Sequence, residues 1–296
     1  MLTRRVFLAG AGSAVLVAAC GGGDDTDTGA QRGTDSASSG ARVLGAGFAD
    51  GFAAPSVLIA GIAQRLPLVV FDENGTPVRS GGPESIDVSI YRNDAVVATA
   101  TVNRHASGIP TPYYPLTFTA PEAGEYEARA AFSARSLKFK VATRDTVKLV
   151  QIGDALRPVV TPTTADARGV NPVCTRSPKP CPFHEVTLTD AIARKKPIVL
   201  AVSTPGFCQT AICGPVLELL VDLAPTLGRF QIVHAEVYVE PNKKSSGAPK
   251  TTDTITTYGL DYEPSLYVAD ADAIVRSRLD FSWDSAELKS ALALVS

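Results

Sequence analysis

The cysteines of this chain have the residue type and spacing needed for disulfide formation, thiol–disulfide exchange or metal binding. The sequence holds five of them, at Cys20, Cys174, Cys181, Cys208 and Cys213. Only four residues separate the last two, and Gly214 and Pro215 follow directly. Thiols this close together can exchange with a substrate disulfide, form a structural disulfide or bind a metal ion. The residue types alone leave these three roles open for Cys208 and Cys213.

Helix geometry decides where Cys208 and Cys213 must lie if they form a disulfide. Residues five apart in a regular helix have Cα atoms ~8.6 Å apart. A disulfide spans no more than ~6.8 Å between Cα atoms. We therefore expect Cys208 in a loop and Cys213 where the following helix begins. Pro215 agrees with this placement, because proline is favoured at the first helical position.

The pair Cys174 and Cys181 encloses a segment with two prolines, Pro178 and Pro180. We predict a structural disulfide that staples this loop. His184 follows Cys181 by three residues, and His234 occurs later, so copper or zinc binding is an alternative. His234 lies in a predicted strand, where a hydrogen-bonded buried histidine is the commoner role. The interpretation therefore includes no metal site and no cofactor.

The N-terminus has the pattern of an export signal. Arg4 and Arg5 precede an apolar run of 14 residues, 6–19. A membrane-spanning helix needs about 20 residues, whereas this length is typical of the apolar region of a signal peptide. The run ends in Val-Ala-Ala followed by Cys20, which resembles a bacterial lipobox. The sequence Thr-Arg-Arg-Val-Phe-Leu also resembles a twin-arginine signal. Residues 1–19 are therefore predicted to be a signal peptide, with lipid attached to Cys20.

Residues 20–41 are rich in Gly, Ser, Thr and Asp and are predicted to be a lipidated flexible linker. The expected location is the extracytoplasmic face of the cell membrane, where disulfides persist. Lys and Arg total 28 against 30 Asp and Glu, a net charge of -2. This balance gives no reason to expect a nucleic-acid partner.

Two domains are predicted after the linker. Residues 42–145 contain about seven short strands with period-2 alternation, which indicates a β-sandwich. The stretch 121–130 resembles the late strands of immunoglobulin-like domains, with Tyr126 as the corner tyrosine.

From residue 146 to 296 the pattern becomes α/β. A helix is predicted from Thr187 to Lys196, with Thr187 or Thr189 as its cap, and a buried strand follows at 198–203. A second helix and strand, a hairpin and a final helix capped by Asp284 complete the pattern.

This second part resembles the thioredoxin superfamily. The resemblance rests on a buried strand that ends in a loop with paired cysteines, a helix directly after them, Glu263-Pro264-Ser265 before a strand, and a closing hairpin and helix. It implies that Cys208 is the nucleophile and Cys213 the resolving thiol. It also implies that Pro264 is the family's cis-proline, which positions the substrate chain.

The chain departs from the family at three places. The cysteines have the spacing Cys-x4-Cys instead of Cys-x-x-Cys, and Phe207 stands where a tryptophan is usual. Val202 occupies the position where reductases of the family bury a carboxylate that transfers protons. These departures argue against an efficient cytosolic type of reductase.

The sequence therefore predicts an extracytoplasmic, membrane-anchored thioredoxin-like lipoprotein. Its predicted activity is thiol–disulfide exchange with exported proteins through Cys208 and Cys213, and its contact with the membrane is the lipid on Cys20. The alternative is a non-catalytic lipoprotein that binds a protein or ligand at the cell surface. In that case both pairs of cysteines form structural disulfides.

Overall fold

The computed structural model describes residues 42–48, 54, 55, 57–208, 210–243 and 249–295. The predicted signal peptide, Cys20 and the linker at 20–41 lie outside these residues. Within the described part of the chain, no helix is both long enough and apolar enough to cross a membrane.

The chain before residue 146 is all β, as predicted. Its strands are β1 (Val43–Ala46), β2 (Leu58–Ile59), β3 (Ala63–Phe71), β4 (Ser85–Arg92), β5 (Ala95–Asn103), β6 (Tyr114–Thr119), β7 (Gly124–Arg129) and β8 (Leu137–Ala142). They form a three-stranded sheet in the order β1-β3-β6 and a five-stranded sheet in the order β2-β8-β7-β4-β5. A short 3-10 helix, Arg144–Thr146, follows.

Alternating side chains explain how these two sheets pack. In β4, Ile86, Val88 and Ile90 are buried, whereas Ser85 before them and Asp87 between the first two are exposed. Since successive side chains of a strand point to opposite faces, one face of the sheet enters the core and the other faces water.

One tyrosine closes a corner of this β domain. Tyr126 of β7 is buried, and its hydroxyl donates a hydrogen bond to the carbonyl oxygen of Glu122 at 2.7 Å. A buried tyrosine hydroxyl needs such a partner, and the bond ties β7 to the turn that precedes it.

The rest of the chain alternates strands with short helices. The elements are α1 (Leu188–Ala193), β9 (Ile198–Val202), α2 (Cys213–Leu223), β10 (Gln231–Ala235), α3 (Asp253–Tyr258), β11 (Ser265–Ala269), β12 (Val275–Asp280) and α4 (Ser285–Ala293). The strands form one sheet in the order β10-β9-β11-β12. Strand β10 is parallel to β9, and β11 is antiparallel to both β9 and β12.

Local sequence explains where two of these helices begin. The side chain of Thr187 accepts a hydrogen bond from the backbone N–H of Asp190, and Asp284 does the same for Glu287. Such caps satisfy N–H groups that have no partner in the first turn. Helix α1 ends at Ala193, before the predicted Lys196, because Lys195 has a positive φ of 52°.

The two parts of the chain contact each other through polar and apolar groups. The Arg65 guanidinium of β3 contacts the Glu287 carboxylate of α4 at 2.6 Å. Buried side chains from both parts, among them Leu66 and Trp283, belong to one hydrophobic cluster. Whether residues 42–145 and 146–296 fold separately, with the boundary near residue 146, stays a prediction.

Candidate functional site

Cys208 and Cys213 form a disulfide with a Cα–Cα distance of 5.9 Å, so the predicted pairing is confirmed. Cys213 is the first residue of α2 and is fully buried. Cys208 lies in the preceding loop and is half-buried, while its neighbour Phe207 is 42% exposed. Cys208 is therefore the sulfur of the pair that a substrate chain can approach more easily.

The loop that carries Cys208 is held by the segment around Thr175. The backbone N–H of Gly206 donates to the Thr175 hydroxyl at 3.0 Å. A Cβ atom at Gly206 would lie 3.0 Å from the Thr175 carbonyl oxygen, which is closer than nearly all real Cβ contacts. Glycine at this position thus permits the close approach of the two chain segments.

A carboxylate lies beside the buried sulfur of the disulfide. Oε2 of Glu263 is 3.6 Å from Sγ of Cys213 and accepts a hydrogen bond from the backbone N–H of Thr204. Oε1 is buried and has no hydrogen-bond partner among the described residues. Burial raises the pKa of Glu263 to about 7, although the hydrogen bonds from Thr204 oppose this shift. A carboxyl group with this pKa can both accept and donate a proton near neutral pH.

The role of Glu263 was not predicted, because the family resemblance places the buried carboxylate at position 202, where this chain has Val202. The carboxylate instead comes from the segment before β11, next to Pro264. The Glu263–Pro264 peptide bond is cis. Ser265 pairs with Val202 across β11 and β9, so Pro264 lies at the end of β9 where the cysteine loop begins.

Four other side chains meet in a second, buried cluster. Sγ of Cys174 and Sγ of Cys181 lie 3.8 Å apart and form no disulfide, although the sequence predicted a structural disulfide between them. Nδ1 of His234 lies 3.8 Å from the first sulfur and 3.4 Å from the second. Nε2 of His184 lies 3.1 Å from Nδ1 of His234. The two sulfurs therefore face imidazole nitrogens as well as each other, which the spacing of Cys174 and Cys181 alone does not reveal.

Hydrogen bonds fix the orientation of His234. Its Nε2–H donates to the carbonyl oxygen of Ser203 at 3.1 Å, and Nε2 is 3.0 Å from the Ser203 hydroxyl. Nδ1 therefore keeps its lone pair, and burial lowers the pKa of His234. The hydrogen bond between the two sulfurs lowers the pKa of Cys174 and raises the pKa of Cys181.

Each cluster has the residue types of a metal site. The ligand atoms of Cys174, Cys181, His184 and His234 all lie within 4.8 Å of one another, and the same holds for Cys208, Cys213 and Glu263. No metal was predicted at either cluster. In the sequence, the three-residue spacing of Cys181 and His184 was the one feature that indicated a metal site. His234 is 53 residues from Cys181, and only the fold brings it close.

Thr175 connects the two clusters. It follows Cys174 directly, and its backbone N–H donates to Oε1 of the buried Glu236 at 2.6 Å. Its hydroxyl, which accepts from Gly206, also donates to Oε1 of Glu236 at 2.9 Å. Burial raises the pKa of Glu236 to about 8. The segment with Cys174 and the loop with Cys208 are thus held by one hydrogen-bond network.

No protein-family model matches the chain, and no curated protein matches it. Among solved structures, the chain is similar to FdeC, an Escherichia coli adhesin, at 16% identity and a TM-score of 0.26, over 43% of this chain and 37% of that one. It is also similar to the ZirS C-terminal domain at 15% identity and a TM-score of 0.21, over 49% of this chain and 94% of that one. The chain thus spans less than half of the adhesin structure, and TM-scores this low support no conclusion about function.

Proposed function

We propose that this chain is a thiol–disulfide oxidoreductase with a thioredoxin-like domain, anchored outside the cytoplasm as a lipoprotein. The observation that carries the proposal is the arrangement around the disulfide. Cys208 is the more accessible sulfur, Cys213 is buried at the start of α2, and Glu263 lies against Cys213. In the proposed reaction Cys208 is the attacking thiol, Cys213 the resolving thiol and Glu263 the proton acceptor.

The order of elements supports the thioredoxin-like class. The buried strand β9 leads to the cysteine loop, α2 follows at once, and Pro264 directly precedes β11. Strands β11 and β12 then form an antiparallel hairpin, and α4 ends the described chain. For the first part of the chain, the corner made by Tyr126 and Glu122 supports an immunoglobulin-like sandwich.

The exchange reaction follows from these positions. With both cysteines reduced, the Cys208 thiolate attacks one sulfur of a substrate disulfide and releases the other as a thiolate. Glu263 then accepts the proton of the Cys213 thiol, and the new thiolate attacks Sγ of Cys208. The 208–213 disulfide forms and the second substrate sulfur leaves, so two electrons pass from the protein to the substrate. In the reverse direction a substrate thiolate attacks Cys208, and Glu263 protonates the departing Cys213.

The position of the two sulfurs at α2 favours this chemistry. The first turn of a helix has N–H groups without partners and the positive end of the helix dipole, both of which stabilise a thiolate. Thr210 adds a contact of 3.5 Å between its hydroxyl and Sγ of Cys208. The exposed ring of Phe207 offers an apolar surface for a substrate chain beside the reacting sulfur.

Insulin reduction tests the proposed activity. The full chain in detergent, supplied with dithiothreitol, should accelerate precipitation of the insulin B chain. Cys208→Ser should abolish the acceleration, whereas the control Glu240→Gln, which replaces an exposed carboxylate paired with Lys243, should retain it. Equal rates for the wild type and Cys208→Ser would contradict the proposal.

The proposed anchor has its own test. The pattern of Arg4, Arg5, the apolar run 6–19 and Cys20 supports cleavage before Cys20 and attachment of lipid to its sulfur. Mass spectrometry of membrane extracts should find a mature chain that starts at lipidated Cys20. An intact Met1 or an unmodified Cys20 in those extracts would contradict the anchor, and with it the proposed location at the extracytoplasmic face of the membrane.

A second candidate function is binding without catalysis. A groove of about 510 Å³ lies on the β domain, lined by β1, the turn at residues 72–75 and residues 135–138. It contains no cysteine or histidine and could hold part of a partner protein or a small ligand at the cell surface. If Cys208→Ser is as active as the wild type in every exchange assay, this candidate replaces the oxidoreductase.

A further inference from the structure

We propose that Cys174, Cys181, His184 and His234 bind one zinc ion through two sulfur and two nitrogen atoms. All four side chains are buried, with exposed fractions of 5% or less. They come from two places in the chain, the loop 174–184 and strand β10. The proposal does not depend on the function of Cys208 and Cys213.

Four of the six distances between the ligand atoms lie close to those of a tetrahedron around zinc, and the two distances from His184 to the sulfurs are within 4.8 Å. With Zn–S bonds of ~2.3 Å and Zn–N bonds of ~2.05 Å, tetrahedral geometry places two sulfurs ~3.8 Å apart, a sulfur and a nitrogen ~3.6 Å apart, and two nitrogens ~3.3 Å apart. The structure has 3.8 Å between the sulfurs and 3.1 Å between Nδ1 of His234 and Nε2 of His184. The two sulfurs lie 3.8 and 3.4 Å from Nδ1 of His234.

Groups behind the ligands support the same assignment. The Ser203 carbonyl accepts the Nε2–H of His234 and so directs the Nδ1 lone pair toward the two sulfurs. The backbone N–H of Cys181 lies 3.4 Å from Sγ of Cys174 and donates to it. Backbone donors of this kind stabilise a thiolate that is bound to a metal.

Without a cation, this cluster would be costly to bury. Two sulfurs and two imidazoles face one another with few hydrogen-bond donors for their lone pairs, and they have almost no access to water. A zinc ion satisfies one lone pair of each group. Its binding releases the two thiol protons, so that the two thiolates balance the charge of the ion.

Four protein ligands leave no open position on a tetrahedral zinc ion, which is typical of structural sites. The expected role is therefore to fix the loop 174–184 against β10. Thr175 lies within that loop and holds both Glu236 and Gly206. A zinc ion would thus also support the segment against which the Cys208 loop rests.

Zinc content tests the proposal. The full chain in detergent is reduced with a phosphine, incubated with zinc chloride and freed of unbound metal by gel filtration. Atomic emission should find one zinc ion per chain in the wild type and in the Cys208→Ser/Cys213→Ser variant. The Cys174→Ser/Cys181→Ser variant should lose the zinc. If the Cys174→Ser/Cys181→Ser variant retained zinc and the Cys208→Ser/Cys213→Ser variant lost it, the metal would lie at Cys208, Cys213 and Glu263. That result would overturn the proposal.

Cobalt provides a spectroscopic readout on the wild-type chain itself. The reduced wild-type chain with Co²⁺ should show the intense visible absorption of a tetrahedral ion and a thiolate-to-cobalt charge-transfer band. His234→Gln should alter the visible absorption. The proposal would be overturned if the wild-type chain held no zinc, or if the cobalt spectrum lacked the charge-transfer band. It would also be overturned by a Cys174–Cys181 disulfide in protein that is isolated from cells and alkylated before reduction.

Discussion

Oε2 of Glu263 lies 3.6 Å from Sγ of Cys213, although the two residues are 50 positions apart in the chain. The contact joins the segment before β11 to the first residue of α2. Because Oε1 has no partner among the described residues, the carboxyl group is free to exchange a proton with the thiol. The buried cysteine and the buried carboxyl group are therefore best treated as one acid–base unit.

Replacement of Glu263 should change how the exchange rate depends on pH. Glu263 accepts the Cys213 proton only when ionised, and its pKa is about 7. The rate of insulin reduction by the wild type should therefore rise as the pH passes through this value. Glu263→Gln should lower the rate by about 10²-fold at pH 8 and remove the inflection. The control is Glu240→Gln, because Glu240 is an exposed carboxylate paired with Lys243. An unchanged pH profile in Glu263→Gln would show that the carboxylate takes no part.

Glu263 should also make the stability of the folded chain depend on pH. Its pKa rises from 4.5 to about 7 on folding, so the folded state binds the proton more tightly. The free energy of unfolding should therefore fall as the pH rises from 4.5 to about 7, relative to Glu263→Gln. The stability of the variant relative to the wild type should therefore be greater at pH 8 than at pH 4 by about 3 kcal/mol.

Urea unfolding of the oxidised proteins at the two pH values measures this difference. Glu236, whose pKa is also raised, is present in both proteins, so its contribution cancels. Parallel pH profiles for the wild type and Glu263→Gln would mean that the Glu263 carboxyl group is solvated.

Glu287 should contribute much of the contact between the β domain and the last helix. The side chains of Arg65 and Glu287 are only 10% and 14% exposed, and the hydroxyl of Tyr113 also contacts Glu287. Glu287→Gln leaves the Arg65 charge partly unpaired, so we expect a loss of about 3 kcal/mol in the free energy of unfolding. Asp272→Asn is the matched control, because its pair with Lys195 is 83% and 69% exposed and should contribute less than about 1 kcal/mol. Urea denaturation should show a larger loss in the free energy of unfolding for Glu287→Gln than for Asp272→Asn. Equal losses in the two variants would contradict the role of Glu287.

Much of the fold was predictable from local sequence. The alternation of Ile86, Val88 and Ile90 with polar residues identified β4, and the caps at Thr187 and Asp284 identified the starts of α1 and α4. Helix α3, Asp253–Tyr258, was not predicted. Its six residues include three threonines and contain too few turns for a helical period to appear.

The candidate site could be predicted only in the part that residues close together in the sequence form. The separation of Cys208 and Cys213 was enough to place one in a loop and the other at a helix start, because disulfide geometry restricts the distance. The contacts of Glu263 with Cys213 and of His234 with Cys174 join residues 50 and 60 positions apart. Such contacts arise from the sheet order, which no local pattern of residues specifies.

The order in which the cysteines react tests the central claim most directly. The full chain is partly reduced in a graded series of dithiothreitol, treated briefly with iodoacetamide and analysed by peptide mass spectrometry. Cys208 should be labelled before Cys213, because it is the accessible sulfur in the loop and Cys213 is buried against Glu263. It should also be labelled before the buried Cys174 and Cys181. Slow and equal labelling of Cys208 and Cys213, seen only after denaturation, would mean that their disulfide is a structural staple and would contradict the proposed oxidoreductase.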